Sequence, residues 1–98
     1  MVAKQPCVYL LASGRNGTLY VGVTSDLIGR IYQHRNDLDE GFTKRYKVHQ
    51  LVWFEPHETM ESAINREKQI KKWHRKAKFN LIESANPAWN DLCSSLSL

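Results

Sequence analysis

Two short apolar runs separated by a turn are the feature that most restricts how this chain can fold. The run "CVYLLA" occupies residues 7–12, and the β-rich run "TLYVGV" occupies residues 18–23. Between them lies "SGRNG", in which Asn16 and Gly17 form a dipeptide typical of tight hairpin turns. The chain is therefore predicted to open with two paired antiparallel strands.

The rest of the chain alternates between helical and strand patterns. Thr24 or Ser25 can cap a first helix and Thr59 a later one, because their side-chain oxygens accept hydrogen bonds from free helix amides. The predicted segments are a helix at about 26–35, a strand at 48–54, a helix from Thr59 to about Arg75 and a short helix at 76–84. The predicted order is ββαβαα, a small α/β (α+β) domain.

Length and composition exclude several classes of protein. The chain has 98 residues, enough for one small domain, and no apolar run approaches the roughly 18 residues that span a bilayer. The two cysteines, Cys7 and Cys93, fit neither a disulfide framework nor a metal site by spacing, and the amino terminus does not fit a signal peptide. We expect a cytoplasmic protein without a membrane partner, either a monomer or a weak homodimer.

Basic residues are concentrated in two segments of this chain, whose formal net charge is +4. One is "TKRYK" at 43–47, and the other, at 66–78, holds seven Lys or Arg residues against one acid. Such clusters suit a nucleic acid, because contacts to phosphates release condensed counterions; a solvated helix face is the alternative. The candidate nucleic-acid-binding residues are Lys44, Arg45, Lys47, Lys68, Lys71, Lys72 and Arg75.

The first predicted helix carries two polar side chains at the edge of its apolar face. At 100° per residue, its apolar stripe is predicted to comprise Leu27, Ile28, Ile31 and Tyr32. Arg30 and His34 lie beside that stripe, one turn apart. A cleft next to the core would bring both together; an ordinary surface pair is the alternative.

Glu67 is anomalous in the later predicted helix, because it falls within the arc formed by Met60, Ala63, Ile64 and Ile70. An ionised carboxylate that faces a core is costly unless it is paired or holds a cation. A buried salt bridge to a nearby basic residue is one interpretation. The other is that Glu67 faces the same cleft as Arg30 and binds a divalent metal ion.

Taken together, the motifs resemble the GIY-YIG nuclease domain. "CVY" ends at Tyr9 and "YVG" begins at Tyr20, eleven residues later, and Arg30, His34 and Glu67 follow in order. The chain is similar to small stand-alone bacterial members of the YhbQ type in "TLYVGVTSDL", "FTKRY" and "REKQIKKW". The resemblance places the nuclease-like domain at 5–83, with 84–98 as an extension that is partly packed and then loose.

This resemblance implies a three-stranded antiparallel sheet flanked by helices and a metal-dependent hydrolysis of DNA phosphodiesters. Tyr9 and Tyr20 would face the attacking water and the phosphate, with Tyr9 preferred as general base. A phenol, whose ordinary pKa is about 10, needs nearby positive charge for this task. Arg30 would stabilise phosphoryl charge, His34 would orient a tyrosine hydroxyl or the water, and Glu67 would hold one Mg²⁺ or Mn²⁺ ion.

The match to the family pattern leaves one residue open and departs from the pattern at two points. Family members use an asparagine after the helix of the metal ligand; Asn86, beside Pro87, is preferred here over Asn80. Cys7 stands where the first motif has a glycine. The sequence also holds no separate DNA-reading domain, so the choice of target stays open.

The function predicted from the resemblance is a DNA endonuclease acting in repair or processing. The substrate could be duplex, branched or single-stranded DNA, and RNA is left open. The first alternative is a nucleic-acid-binding module of the same fold with weak or absent activity. The second is a structural protein whose basic helix binds acidic partners, which the salt dependence of nucleic-acid binding would distinguish.

Overall fold

The computed structural model describes residues 5–35 and 47–93. The predicted basic residues Lys44 and Arg45 lie outside these ranges, as does the end of the extension from residue 94. The described elements are β1 (Cys7–Ala12), β2 (Leu19–Thr24), α1 (Leu27–Arg35), β3 (Gln50–Pro56), α2 (Met60–Lys71) and α3 (Arg75–Ala85). The predicted α+β order ββαβαα is therefore confirmed, although β3 lies two residues later than predicted.

The three strands form one antiparallel sheet in the order β2-β1-β3. All six residues of the central strand β1 are buried, which explains why its sequence is apolar without alternation. In the ladder, Tyr9 pairs with Gly22 of β2 and with Phe54 of β3. The strand β2 forms one edge of the sheet.

Helices cover both faces of the sheet. Val8 and Leu10 of β1 pack in one apolar cluster with Ala63 and Ile70 of α2 and with residues of α3. The alternate residue Tyr9 belongs to a second cluster that includes Ile31 of α1. Because successive side chains of a strand point to opposite faces, α2 and α3 cover one face and α1 covers the other.

The cap of α1 differs from its prediction by one residue, whereas that of α2 is as predicted. The Oδ1 atom of Asp26 accepts a hydrogen bond of 3.1 Å from the amide of Gly29, so Asp26 itself caps α1, and Thr24 accepts from the amide of Asp26. Thr59 caps α2 as predicted, with its hydroxyl accepting from the amide of Ser62 at 3.1 Å. None of the described helices is long and apolar enough to cross a membrane.

The prediction that α2 would continue to about Arg75 was wrong. It ends at Lys71, and a new helix begins at Arg75 with His74 as its N-cap. Between them, the amides of Lys72 and Trp73 bond to the last carbonyls of α2 with a tighter, three-residue spacing that closes the helix. The break turns the chain so that α3 also packs on the sheet.

The predicted apolar stripe of α1 is also wrong in part. Ile28 and Tyr32 are 46% and 60% exposed, whereas Ile31 and His34 are buried. The residues of α1 that pack toward the sheet are Leu27, Ile31 and His34, which are four and then three residues apart. The helix therefore packs on the sheet through a narrower face than the sequence predicts. This change places an imidazole, rather than a tyrosine, against the core.

Candidate functional site

The centre of the site is the close approach of Tyr9 to Gly22. A Cβ atom built on Gly22 would lie 2.4 Å from both Cζ and Oη of Tyr9, which is far inside van der Waals contact. The phenol ring of Tyr9 therefore lies over the backbone of β2 where a side chain would otherwise stand. The sequence alone did not assign this task to the glycine of "YVG"; the pairing register of the two strands does.

A buried hydrogen bond joins Tyr9 to His34. The Oη atom of Tyr9 lies 3.1 Å from Nε2 of His34, and the two residues are 1% and 2% exposed. When Nε2 carries no proton, the phenol donates and the imidazole accepts. Two residues that the sequence singles out separately, Tyr9 of the hairpin and His34 of α1, thus meet at one hydrogen bond.

Tyr20 completes an aromatic cluster with these two residues. Its ring centroid lies 6.2 Å from that of Tyr9 and 5.4 Å from that of His34, and the rings are tilted against one another. Tyr20 is half-buried at the edge strand, whereas Tyr9 lies beneath it in the core. Among the predicted site residues, the structure therefore brings Tyr9, Tyr20 and His34 together, with Tyr20 nearest to solvent.

Arg30 lies on α1 one turn before His34 and is half-buried. Residues four apart share a side of a helix, so its guanidinium and the imidazole project from the same side of α1. This position is consistent with the predicted pairing of Arg30 and His34 at the edge of the helix.

Glu67 is carried by a helix that packs, through Ala63 and Ile70, on the other side of the sheet from Tyr9. This helix is α2, and the Oε2 atom of Glu67 lies 2.7 Å from Nζ of Lys71, one turn later. The Glu67 side chain is 13% exposed and that of Lys71 is 55% exposed. The carboxylate is thus largely enclosed and paired, but its partner can turn into solvent.

A divalent ion nevertheless fits the chemistry of Glu67. In residues 5–35 and 47–93, no group of three or more His, Cys, Asp or Glu side chains gathers that could hold a metal ion by itself. Mg²⁺ does not need such a group, because it commonly binds one or two carboxylates and keeps waters or substrate phosphates as its other ligands. Glu67 with the displaceable Lys71 meets that requirement.

Asn86, predicted to complete the site, has a structural task. Its side-chain amide donates to the carbonyls of Val52 at 3.0 Å and Asn90 at 2.9 Å, and its oxygen accepts from the amide of Asn90 at 3.0 Å. The residue is buried and ends α3. Its catalytic role stays a prediction that these bonds do not favour, whereas the alternative, Asn80, is exposed on α3.

The predicted nucleic-acid-binding residues divide into two groups. Lys47, Lys68, Lys71 and Lys72 are exposed. Arg75 is also exposed, but its guanidinium donates to the carbonyls of Asn16 at 2.8 Å and Gly17 at 2.5 Å, and it lies 4.6 Å from the ring centroid of Phe79. Arg75 therefore ties α3 to the hairpin turn as well as adding positive charge.

Comparison with known proteins decides the family. The family model of the GIY-YIG catalytic domain matches residues 5–80. The chain belongs to the GIY-YIG family. This family forms a nuclease superfamily, and the matched range holds the hairpin, α1, β3, α2 and the first half of α3.

Relatives of this GIY-YIG protein are found among small bacterial proteins. It is 37% identical over 68 residues to a UPF0213 protein of Staphylococcus saprophyticus, which covers 69% of this chain and 83% of that protein. UPF0213 proteins of Staphylococcus aureus and Staphylococcus epidermidis are 34% and 32% identical over the same shares of each chain. The chain thus belongs to the UPF0213 group as well. No solved structure matches it.

Proposed function

We propose that this protein is a metal-dependent endonuclease that hydrolyses DNA phosphodiester bonds, in DNA repair or processing in the cytoplasm. The observation that carries the proposal is the buried hydrogen bond between Tyr9 and His34, with Tyr20 packed against both rings. A buried phenol needs some hydrogen-bond partner, and here that partner is an imidazole, which can take up a proton as well as accept a hydrogen bond. A pair that can exchange a proton beside a half-exposed tyrosine suits general base chemistry.

The proposed proton path runs from water to Tyr9 and on to His34. Tyr9 gives its phenolic proton to Nε2 of His34, and its oxygen then takes a proton from the attacking water. For isolated groups this first transfer is uphill by about 3.5 pK units, or ~5 kcal/mol, because a phenol is a much weaker acid than an imidazolium. The guanidinium of Arg30 offsets part of that cost and stabilises charge on the phosphoryl oxygens.

The substrate phosphate is proposed to lie across the edge strand β2. Tyr20 and the α1 residues would contact it from one face of the sheet and Glu67 from the other, after Lys71 swings away. Lewis-acid stabilisation of the phosphoryl oxygens is the chemistry that an Mg²⁺ or Mn²⁺ ion held by Glu67 would supply. The exposed lysines of α2 would contact flanking phosphates without reading sequence.

A second candidate is a nucleic-acid-binding module with little or no hydrolytic activity. Two observations favour it: Tyr9 is closed off from solvent, and Glu67 is already paired with Lys71. A protein that never cleaves would keep both arrangements when nucleic acid binds.

The test is incubation of the purified protein with plasmid, branched and single-stranded DNA in Mg²⁺, Mn²⁺ or EDTA. We expect cleavage of at least one substrate in a divalent ion and none in EDTA. The Tyr9→Phe variant, purified in parallel, controls for a contaminating nuclease. Binding of all three substrates without cleavage in either ion would favour the second candidate.

A further inference from the structure

A groove lies where α2 meets α3, away from the aromatic cluster. Its volume is about 520 Å³, within the roughly 300–1,000 Å³ typical of ligand pockets, and its surface is mostly apolar. The residues that line it are Lys72, Trp73, His74, Ala77, Asn80 and Leu81. It exists because the chain breaks at residues 72–74, whereas the sequence predicted that the first of the two helices would continue to about Arg75.

We propose that this groove binds an unpaired nucleobase of the nucleic acid, an inference that rests on the proposed function. Trp73 is half-buried here, whereas the other two tryptophans, Trp53 and Trp89, are buried in the core. The guanidinium of Arg66 lies 5.3 Å from the Trp73 ring centroid but does not line the groove. Arg66 thus contacts the indole from outside the groove, and Trp73 is one of the residues that line it, so we expect a base to stack on the indole there.

The charges around the groove suit a strand of phosphates. Lys72 lies in its wall, and Lys76, on the first turn of α3, is exposed. The N-cap residue His74 makes no side-chain hydrogen bond to the first amides of α3, so the positive end of this helix is not covered by its own cap. The side chain of Asn80 adds both a donor and an acceptor of the kind that base edges require.

The location and apolar surface of the groove restrict which nucleic acids could use it. It lies on the α2 and α3 side of the sheet, whereas Tyr20 and His34 lie on the α1 side. Bases of an intact duplex are stacked and paired within the helix, so they cannot enter an apolar groove without unstacking. We therefore infer that the preferred substrate has a single-stranded segment.

The test compares an intact single strand with an abasic strand of the same length, which has the same phosphates but no bases. Binding of a fluorescein-labelled 12-nucleotide strand is measured by anisotropy in EDTA at fixed salt, so that cleavage does not contribute. The parent protein is expected to bind the intact strand about five- to a hundredfold more tightly than the abasic strand. Equal affinities would overturn the proposal.

Ala77→Glu places a bulky carboxylate in the groove, and Ala85→Glu makes the same change at the exposed end of α3. Neither variant removes a core side chain, unlike Trp73→Ala, which would disturb packing against the sheet. Ala77→Glu should abolish the preference for the intact strand, while Ala85→Glu should retain it. A preference that survives Ala77→Glu, or a polyglutamate peptide that competes as well as the intact strand, would overturn the nucleobase assignment.

Failure of the proposed nuclease activity would be recognised separately. A protein that prefers the intact strand over the abasic one but cleaves no DNA in Mg²⁺ or Mn²⁺ would support the groove and contradict the enzyme. A protein that cleaves DNA but binds both strands equally would contradict the groove and support the enzyme.

Discussion

Tyr9 and Gly22 face each other across the β1–β2 ladder, and the phenol of Tyr9 fills the space that any side chain at position 22 would need. A glycine in a strand interior weakens the strand, so its presence here requires a compensating reason. That reason is the position of the Tyr9 hydroxyl, which lies over β2 within reach of His34. The spacing of the two motifs is therefore a consequence of strand pairing.

The first prediction follows from this contact. Gly22→Ala places a Cβ atom 2.4 Å from the Tyr9 ring, so the ring must move. We expect the free energy of unfolding to fall by about 1–3 kcal/mol, as for other overpacked cores, and cleavage to fall with it because the hydroxyl leaves His34. Thermal melts and a plasmid-nicking assay measure the two effects.

Gly14→Ala is the matched control for that variant. A Cβ atom at Gly14 meets nothing within 4 Å, so this change should alter neither stability nor cleavage. If Gly22→Ala were as stable and active as Gly14→Ala, the close packing of Tyr9 on β2 would not matter to the site.

The second prediction concerns the Tyr9 hydroxyl. Tyr9→Phe removes one buried hydrogen bond and keeps the ring, so we expect a loss of about 1 kcal/mol in the free energy of unfolding with the fold intact. Removal of a general base should lower the cleavage rate by about 10²–10⁴-fold. Tyr20→Phe should be less damaging, because Tyr9 and not Tyr20 is the proposed general base.

Tyr32→Phe is the control for this pair, because Tyr32 is an exposed tyrosine of α1. It should leave the cleavage rate unchanged. A Tyr9→Phe variant that cleaves as fast as Tyr32→Phe would remove Tyr9 from the role of base.

Some parts of the fold could be predicted from local patterns and others could not. The hairpin and the Thr59 cap depend on residues that are close together in sequence, so turn and cap preferences suffice to find them. The face of α1 that packs on the sheet depends on a distant partner. Hydrophobicity favoured Tyr32 for the core over His34, but the Tyr9 hydroxyl provides the partner that makes a buried imidazole acceptable.

The same reasoning applies to the candidate site. Tyr9, Tyr20 and His34 are recognisable in the sequence as members of an ordered set, and in the structure their side chains lie close together. The place of Asn86 beside Pro87 favours it for the site, but its bonds to Val52 and Asn90 arise from tertiary packing that no spacing in the sequence reveals. The helix break at 72–74 likewise depends on how α3 meets the sheet.

The third prediction separates two tasks of Arg75. Arg75→Lys keeps the charge but loses the guanidinium fork that donates to the carbonyls of Asn16 and Gly17. We expect the free energy of unfolding to fall by about 1 kcal/mol, measured by denaturant titration, with little change in affinity for DNA. Arg15→Lys, an exposed substitution in the same turn, should affect neither. Unchanged stability with weaker DNA binding would show that Arg75 acts on phosphates alone.

The fourth prediction concerns Glu67. If Glu67 is half of a fully buried ion pair, Glu67→Gln should lower the free energy of unfolding, whereas if Glu67 is a metal ligand the variant should mainly lose cleavage. Its partner Lys71 is more than half exposed and can turn to solvent, so Glu67→Gln should leave no stranded buried charge. We expect a change of less than about 0.5 kcal/mol in the free energy of unfolding, as for other helical pairs four residues apart. Cleavage should fall by orders of magnitude, because the proposed ligand of the divalent ion is lost.

Thermal melts with and without Mn²⁺ test the metal directly. An ion that binds the folded state stabilises it by mass action, by about 2.7 kcal/mol at a hundredfold excess over its Kd. The parent protein should therefore gain stability from Mn²⁺, and Glu67→Gln should gain much less. Glu61→Gln, an exposed change on the same helix, should respond to Mn²⁺ as the parent does.

One outcome would contradict the role of Glu67 as a metal ligand. It is a Glu67→Gln variant whose free energy of unfolding is several kcal/mol lower than that of the parent and that still cleaves DNA with the same metal dependence. Glu67 would then be half of a structural ion pair, and any metal used by this GIY-YIG protein would have to be held elsewhere.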